Sequence, residues 1–372
     1  MKIALVHDFL AEYGGAERVV EVIHEVWPRA PMYVAFVNFE GLGPHKERVR
    51  KWDIRTSWVQ KIPFFKRLYS PLRFLALRIF ESFDLSDFEV VISSTNMYMA
   101  KGVKTRKDQL HVCYCHTPPR SLYGYPTRMD WKKHWWTRVY GTIVNHFMLM
   151  DDFASAQRPD FFVANSLETQ RRIKKFYRRD SAVIYPPVET EKFRGVSGKR
   201  GDYYLFVGRL AVAKGADLAI GACNKLKLPL WVVGRGAEQS WLKDLAGPTI
   251  EFLGEVSDEE LVKIYAGCKA LIFPSLEEDF GIVPVEAMAA GKPVIALKQG
   301  GVVESVVPGK TGVFFGEATV ESLVEVLKKF NLNKFKAEDC KNQAEKFGKE
   351  RFMREMREFV EAKYRMVKKN FK

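Results

Sequence analysis

Short, continuous apolar runs alternate with helical patterns along both halves of this 372-residue chain. Such runs are typical of strands buried on both faces of a parallel sheet. Strands are predicted at Ile3–His7, Met32–Val37, Val90–Ser93, His111–Cys115, Phe161–Ala164, Tyr203–Val207, Leu230–Val233, Ile250–Leu253, Ala270–Phe273 and Pro293–Ala296. Helices are predicted between them at Ala16–Val26, Leu167–Phe176, Ala216–Lys225, Asp258–Ala266 and Val285–Ala290. This alternation predicts an α/β fold of two doubly wound domains.

A pair of prolines marks the predicted boundary between the domains. Pro186 and Pro187 stop regular structure and stiffen the connector that holds them. A chain of this length is also too long for one ordinary hydrophobic core. We therefore predict an N-terminal domain over residues 1–186 and a C-terminal domain over residues 187–350. Residues 337–372 carry one long, charged helical pattern that can pack against either domain.

The net charge of +14 is unevenly spread. Residues 46–80 contain ten Lys or Arg against two acids, with large apolar side chains among them. From Phe64 to Phe80 the apolar residues recur at roughly helical spacing, interrupted by Pro71. Such a segment can lie on an anionic membrane, bind nucleic acid or an anionic substrate, or place its apolar groups in the core. A second group of this kind contains Trp131, Lys132, Lys133, Trp135, Trp136 and Arg138.

The five cysteines are scattered, and only Cys113 and Cys115 are close together. Their single intervening residue does not match the spacing of zinc ligands, so we expect buried, reduced thiols. The N-terminus reaches a charged residue too early for the apolar region of a signal peptide, and no apolar run is long enough to span a bilayer. A cytoplasmic protein, in solution or at a membrane surface, is expected.

The densest chemical signal follows the predicted strand that ends at Phe273. An acidic loop leads into a helix predicted to open near Val283-Pro284, and proline suits a first helical turn because it lacks an N–H group. The N–H groups of residues 280–283 would then point outward at the positive end of the helix and bind an anion such as a phosphate. Glu278 and Glu286 can accept hydrogen bonds from sugar or ribose hydroxyls. Alternatively, Glu286 only complements the helix dipole from the first turn, and Glu278 is a solvated loop acid.

Two cations follow the first strand of the second half, in Gly208-Arg209 and Lys214-Gly215. The end of the first strand of a doubly wound sheet is a preferred ligand position. Arg209 with its bidentate geometry and Lys214 as a point charge can neutralise a leaving diphosphate. The alternative is an ordinary basic loop that faces solvent.

Two weaker signals lie in the first half. Gly14 and Gly15 follow the first strand and can offer backbone N–H groups to a phosphate. His116 follows the strand His111–Cys115 and can act by hydrogen bonding or proton transfer. There is no complete dinucleotide fingerprint and no Asp-x-Asp pair for a metal–nucleotide complex. We expect no metal and no cofactor, with cations and helix N-termini stabilising the diphosphate.

Taken together, these motifs resemble glycosyltransferase family 4, the retaining enzymes of GT-B fold. The resemblance is carried by Glu278-x7-Glu286 with Phe280-Gly281, by residues 287–294, by the Gly-Arg-x4-Lys-Gly pattern at 208–215, by Gly14-Gly15 and by His116. It implies two Rossmann-like domains facing across a cleft, with the C-terminal helix at residues 351–372 packed back on the N-terminal, acceptor-binding domain. The C-terminal domain would bind the nucleotide-sugar donor.

The resemblance also implies a role for each matched residue. Arg209 and Lys214 would contact the donor diphosphate, which Gly14-Gly15 would approach from the opposite domain. The transferred sugar would be held by Glu278 and the backbone of Phe280, Gly281 and Ile282, the ribose by Glu286, and His116 would lie near the reacting sugar. Attack on the same face as the leaving group, with the departing phosphate helping to take the acceptor proton, would need no enzymic nucleophile.

The N-terminal half is similar to O-antigen and related mannosyltransferases, and the stretch from Trp131 through Asn165-Ser166 contributes to this similarity. This similarity implies GDP-mannose as donor, and a lipid-linked or saccharide acceptor in lipopolysaccharide or other cell-surface polysaccharide synthesis. The protein is then expected at the inner face of the cell membrane, on an anionic surface, and not on nucleic acid. Two alternatives stay open: a sugar-nucleotide epimerase of similar fold, which needs no acceptor, and a basic nucleic-acid-binding protein.

Overall fold

A computed structural model describes residues 1–125, 135–196 and 201–370 of the chain, which divide into two units. The first unit contains the described residues up to Pro187 together with those from Glu350 onward. The second contains the described residues from Val188 to Lys349. Trp131, Lys132 and Lys133 lie outside the described residues.

The first unit is built on a parallel sheet in the order β3-β2-β1-β4-β5-β6-β7. Its strands are β1 Ile3–His7, β2 Met32–Val34, β3 Ile54–Thr56, β4 Val90–Thr95, β5 Leu110–Cys115, β6 Phe161–Ala164 and β7 Ser181–Val183. The chain winds outward from β1 in one direction and from β4 in the other, so the topological switch lies between β1 and β4. Ligands of open α/β sheets bind at such a point.

The second unit repeats this plan with a parallel sheet in the order β10-β9-β8-β11-β12-β13. Its strands are β8 Tyr204–Val207, β9 Leu230–Val233, β10 Ile250–Gly254, β11 Leu271–Phe273, β12 Val294–Leu297 and β13 Gly312–Phe315. Here the switch lies between β8 and β11. The prediction of two doubly wound α/β domains is confirmed.

Helices cover the faces of both sheets. Those of the first unit are α1 Gly15–Val26, α2 Lys46–Val49, α3 Phe65–Leu68, α4 Ala76–Glu81, α5 Trp135–Ser155 and α6 Leu167–Tyr177. The second unit has α7 Ala216–Leu226, α8 Gln239–Leu245, α9 Asp258–Gly267, α10 Ile282–Ala289, α11 Val302–Ser305, α12 Val320–Lys329 and α13 Ala337–Glu345. The last helix, α14 Lys349–Asn370, belongs mainly to the first unit. No helix of the described residues is long and apolar enough to cross a membrane.

The single helical pattern predicted from Ala337 to Lys372 is wrong, because the described tail forms two helices, α13 and α14. Between them, the carbonyl of Phe347 accepts a hydrogen bond from the N–H of Val188 at 2.9 Å. Phe352, Met356 and Val360 of α14 are fully buried in the core of the first unit, with aliphatic residues of β1, β4 and α1. The helix thus supplies part of the hydrophobic core on which the first sheet depends.

All five cysteines are buried and lie outside any disulfide, as predicted. Burial raises the pKa of the Cys113, Cys223, Cys268 and Cys340 thiols to about 12, so these sulfurs stay protonated and unreactive.

Candidate active site

The topological switch of the second unit brings together two of the predicted motifs. Strands β8 and β11 are parallel neighbours, paired through Leu205 and Leu271, so their carboxyl ends share one edge of the sheet. Arg209 follows β8, and the acidic loop at residues 274–281 follows β11. Because a doubly wound sheet binds its ligands at this position, the cations and acids stand where a ligand is expected.

The turn that carries Lys214 is locked against the acidic loop. The N–H of Leu276 donates to the carbonyl of Ala213 at 2.8 Å. Gly215 has φ of +65°, and a Cβ there would lie 2.5 Å from the Pro274 carbonyl oxygen. Only glycine tolerates both the left-handed backbone and the close approach, so the Lys214-Gly215 turn cannot shift independently of the loop.

Lys214 and Glu278 form an ion pair, with Nζ 2.5 Å from Oε2. The Ser275 hydroxyl donates to the same oxygen at 2.5 Å. The Glu278 side chain is 14% exposed, so the interpretation of Glu278 as a solvated loop acid is wrong. A carboxylate can accept several hydrogen bonds at once, from protein groups and from ligand hydroxyls.

Helix α10 begins beside this ion pair. Gly281 is its N-cap, with φ of +88°, and makes no side-chain cap. The helix starts at Ile282, and Pro284 in its first turn has no N–H group. The amides at the helix start carry the positive end of the helix dipole. An anion held near Lys214 and Arg209 would therefore meet a positive potential from the backbone as well as from the side chains.

Glu286 lies in the second turn of α10, which corrects the alternative that placed it in the first turn as a partner of the dipole. It is 7% exposed, and the hydroxyl of Tyr265 donates to its Oε2 at 2.9 Å. Tyr265 comes from α9 and is fully buried. A buried carboxylate oriented by a tyrosine is suited to a fixed hydrogen bond with a ligand hydroxyl.

Gly300 and Gly301, which the sequence analysis missed, support the acidic loop from behind. The N–H of Gly301 donates to the Glu278 carbonyl at 2.7 Å. A Cβ on Gly300 would lie 2.3 Å from that carbonyl oxygen, and one on Gly301 would lie 2.2 Å from the Asp279 carbonyl oxygen. An adjacent glycine pair, separated by three residues from the predicted strand Pro293–Ala296, was the signal that could have indicated them.

In the first unit, Gly14 and Gly15 open helix α1 at the carboxyl side of β1. The N–H of Gly14 donates to Oε2 of Glu17 at 2.9 Å, so this amide is already bonded and does not offer the bare N–H that was expected. Gly15 is exposed. Glu17, which the sequence analysis did not select, thus fixes the glycine loop.

His116 ends a chain of contacts that starts at the same Glu17. The Oε1 atom of Glu17 lies 3.7 Å from Nε2 of His7. Nδ1 of His7 lies 3.2 Å from both the carbonyl oxygen and the hydroxyl oxygen of Ser94. That hydroxyl oxygen lies 2.8 Å from Nε2 of His116. His7, Ser94 and His116 are all buried and come from β1, β4 and the end of β5, across the topological switch of the first sheet.

Among the residues that the structure describes, no three His, Cys, Asp or Glu side chains converge on a common point as metal ligands. The charged groups at the switch point of the second unit include the Lys214–Glu278 pair and, nearby in the sequence, Arg209.

Comparisons with known proteins match each half of the chain to a family of glycosyltransferase domains. Residues 13–192 match the Glycosyltransferase Family 4 domain, and residues 187–347 match the domain of Glycosyl transferases group 1. Each half of the chain therefore resembles a glycosyltransferase domain. An uncharacterized glycosyltransferase of Methanocaldococcus jannaschii is 29% identical over 54% of this chain and 59% of its own length. A Mycobacterium tuberculosis glycogen synthase is 34% identical over 33% of this chain and 32% of its own length. The chain therefore spans between a third and three fifths of these curated relatives.

Solved structures share the fold over nearly the whole chain. Anabaena HepE in complex with UDP and glucose has a TM-score of 0.68 at 20% identity, covering 97% of this chain and 99% of its own. The lipopolysaccharide outer core galactosyltransferase WaaB has a TM-score of 0.65 at 19% identity, covering 98% of this chain and 100% of its own. These likenesses show the GT-B fold class that the resemblance implied.

The hydrogen bonds of the first unit assign the protons of His7 and His116. Because a carbonyl oxygen can only accept, Nδ1 of His7 carries a proton toward Ser94, and the Glu17 carboxylate favours a second proton on Nε2. Burial lowers the pKa of His7, but Glu17 and Asp8 outweigh it, and the net shift is upward. The Ser94 hydroxyl then accepts from His7 and donates to Nε2 of His116. His116 is thereby held as the neutral tautomer with its proton on Nδ1.

We expect His116 to remain neutral throughout the working pH range. Burial, reinforced by the charge on His7, lowers its pKa to about 3. Imidazole 15N chemical shifts should report Nδ1–H and no titration near 6.5. Ser94→Ala should mix the two tautomers of His116, whereas the control Ser93→Ala, whose hydroxyl lies 2.9 Å from His111 instead, should not. A His116 ring that titrates near neutrality, or that carries its proton on Nε2, would contradict this assignment.

The lowered pKa of His116 also makes the stability of the fold depend on pH. A histidine whose pKa is lower in the folded state than in the unfolded chain binds its proton preferentially when unfolded. His116 therefore costs stability as the pH falls below 6.5 toward its folded value of about 3. The effect should be smaller in His116→Gln, as measured by urea unfolding across that pH window.

Proposed function

We propose that this chain is a retaining, metal-independent glycosyltransferase that transfers a hexose from a nucleotide sugar to a lipid-linked or saccharide acceptor. The observation that carries the proposal is the Lys214–Glu278 pair, held beside the N-terminus of α10 at the switch point of the second sheet. A cation, a helix N-terminus and a carboxylate in one place match the three parts of a sugar diphosphate: its charge, its phosphate oxygens and its sugar hydroxyls.

The proposed chemistry uses these groups to stabilise the leaving group. The bond between the anomeric carbon and the phosphate oxygen breaks, and the negative charge that develops on the diphosphate is stabilised by Lys214, Arg209 and the start of α10. The acceptor hydroxyl forms its new bond on the same face, and its proton passes to the departing phosphate. Glu278 positions the sugar and Glu286 the ribose, so neither acts as nucleophile.

The proposed donor is GDP-mannose, on the similarity of the N-terminal half to O-antigen mannosyltransferases. HepE, which shares the fold, was solved with UDP and UDP-glucose, which makes a UDP-hexose the principal alternative. A lipid-linked acceptor in lipopolysaccharide or other cell-surface polysaccharide synthesis would bring the protein to the inner face of the cell membrane. WaaB, another fold relative, is a lipopolysaccharide galactosyltransferase, which is compatible with this setting.

A thermal-shift panel of GDP-, UDP- and ADP-sugars tests the donor. A ligand that binds only the folded state at 100 times its dissociation constant stabilises it by about 2.7 kcal/mol. One class of nucleotide sugar should raise the melting temperature of the wild type, and Glu286→Gln should reduce that shift. The control Glu325→Gln changes an exposed glutamate on α12 of the same unit and should keep the shift. If no nucleotide sugar shifts the protein, the proposal fails.

Product analysis separates transfer from the alternatives. With a saccharide acceptor, 1H NMR of the new anomeric signal should show retention, and added EDTA should leave the rate unchanged. Conversion of the donor sugar without any acceptor would instead identify an epimerase. Salt-sensitive binding of arbitrary oligonucleotides, with no turnover of nucleotide sugars, would favour a nucleic-acid-binding protein.

A further inference from the structure

Helix α5 exposes side chains that helices of water-soluble domains normally bury. Six large apolar residues, spaced three or four apart or adjacent, form one stripe that is between 42% and 59% exposed: Trp136, Val139, Tyr140, Ile143, Phe147 and Met150. A contiguous apolar stripe of this length marks an interaction surface, whereas single exposed apolar residues need no explanation.

The opposite face of α5 is the more polar one, and it is firmly anchored. Asp152 is fully buried there and forms an ion pair with the equally buried Lys101. The hydroxyl of Tyr123 also donates to Asp152 at 2.8 Å. If α5 rotated to bury its apolar stripe, Asp152 would lose its contacts with Lys101 and Tyr123, at a high cost in free energy. The orientation of the helix, and with it the exposure of the stripe, is therefore specified by the buried contacts.

A second segment extends the same surface. The hydroxyl of Tyr140 donates to the carbonyl of Pro71, and Arg73 donates to Asn145 at 2.7 Å, which joins α5 to residues 58–74. That segment exposes five more large apolar side chains, Trp58, Ile62, Phe64, Leu68 and Phe74. Phe65 of the same segment, and Ile79 and Phe80 after it, are buried in the core. Of the alternatives for residues 46–80, burial in the core thus holds for some apolar side chains and exposure at the surface for others. Phe64 is the most exposed of them at 71% and has φ of +60°, a backbone conformation unfavourable for a bulky residue.

Within the two segments that supply the exposed apolar side chains, all formal charges are positive. Residues 54–80 and 135–150 contain no Asp or Glu. Exposed cations flank the apolar side chains, among them Lys61, Lys66, Arg78 and Arg138. A second copy of the same surface would bring cation against cation. Apolar side chains ringed by cations complement an anionic lipid surface, where the apolar groups enter the interface and the cations meet headgroups.

We propose that the α5 stripe and the exposed side chains of residues 58–74 together form a docking surface for an anionic phospholipid bilayer. The aromatic side chains lie at the level of the headgroups, as amphipathic rings do at membrane interfaces. The purpose of docking rests on the proposed function, because a lipid-linked acceptor is reached at the membrane. The binding itself does not, and it can be measured in the absence of any sugar.

Vesicle flotation tests this surface. The full chain should float with vesicles of phosphatidylcholine and phosphatidylglycerol, and the bound fraction should fall with added salt. Ile143→Ser/Phe147→Ser should lower the partition coefficient at least tenfold. The matched control Trp241→Ser/Leu245→Ser removes two exposed apolar side chains, also four residues apart, from α8 of the second unit and should bind as the wild type does. Lys61→Gln/Lys66→Gln should weaken binding about fivefold per lysine on anionic vesicles, with little change on neutral ones.

Each variant should keep the melting temperature and the donor-induced thermal shift of the wild type, which separates loss of docking from loss of the fold or of the donor site. Absence of salt-sensitive flotation would overturn the docking proposal, even if the donor panel succeeds. Sedimentation that shows a dimer abolished by Ile143→Ser/Phe147→Ser, without vesicle binding, would overturn it in favour of self-association.

Discussion

Replacing both cations of the candidate donor site, in Arg209→Gln/Lys214→Met, is expected to lower kcat/KM for sugar transfer by about two to four orders of magnitude. A hydrogen bond to a charged group contributes about 1.5–3 kcal/mol, and each 1.4 kcal/mol changes a rate about tenfold. The diphosphate gains charge as it leaves, so most of the loss should appear in kcat. Steady-state kinetics with the donor chosen by the thermal-shift panel measures it.

The control for this variant removes a cation of the same unit that lies in a surface ion pair. Lys225 pairs with Glu321, and both side chains are more than half exposed. Lys225→Met should therefore leave kcat/KM within about twofold of the wild type, since exposed ion pairs contribute little. If the double variant turns over as fast as Lys225→Met, Arg209 and Lys214 do not stabilise the leaving group and the site assignment is wrong.

The largest loss of stability is expected from Lys101→Met. Lys101 and Asp152 are both fully buried, and the single replacement leaves the aspartate in the core without its counter-charge. Breaking a buried ion pair from one side costs about 3–5 kcal/mol. Although burial alone would lower the pKa of Lys101, Asp152 reverses the shift and raises it, so the lysine is charged in the folded protein. Urea unfolding measures the change in free energy.

Two further variants show whether the buried charge is the cause. Lys101→Met/Asp152→Leu replaces both charges with apolar groups and should recover much of the loss, since such exchanges are often neutral or stabilising. Lys225→Met breaks the exposed pair with Glu321 and should cost no more than about 1 kcal/mol. A double variant as unstable as Lys101→Met would mean that packing at residue 101, and not the unpaired aspartate, sets the stability.

The sequence predicted those parts of the fold that depend on local pattern. Apolar runs such as Leu230–Val233 and Phe161–Ala164 coincide with the observed strands, because a strand buried on both faces needs an unbroken apolar run. Three strands were missed, namely Ile54–Thr56, Ser181–Val183 and Gly312–Phe315. They are only three or four residues long, and two of them have no buried residue, so their apolar runs are short or, at Ile54–Thr56, missing. Pairing with a neighbouring strand defines them instead.

In the candidate site, too, the sequence pattern predicted some residues, whereas others depend on tertiary contacts. Arg209, Lys214, Glu278 and Glu286 were selected because each stands near a strand end or a helix start that the pattern shows. The hydrogen-bond partners of the selected residues were not predicted. Tyr265 meets Glu286, and Ser94 meets His116, only through tertiary contacts. Asp8 was also missed: its carboxylate accepts the N–H groups of Asn96, Met97, Tyr98 and Ala100 at 2.7–3.0 Å. Nothing in the neighbouring sequence of Asp8 reveals donors that lie almost ninety residues away.

The C-terminal helix inverts the order in which the two units can be completed during synthesis. Domains usually finish in the order in which the ribosome releases them. Here the first sheet lacks Phe352, Met356 and Val360 until the end of the chain emerges. Residues 188–349 have all of their own strands before that point. The second unit can therefore reach its native core first, and a chain that stops short of Glu350 leaves an apolar surface uncovered on the half that was made earliest.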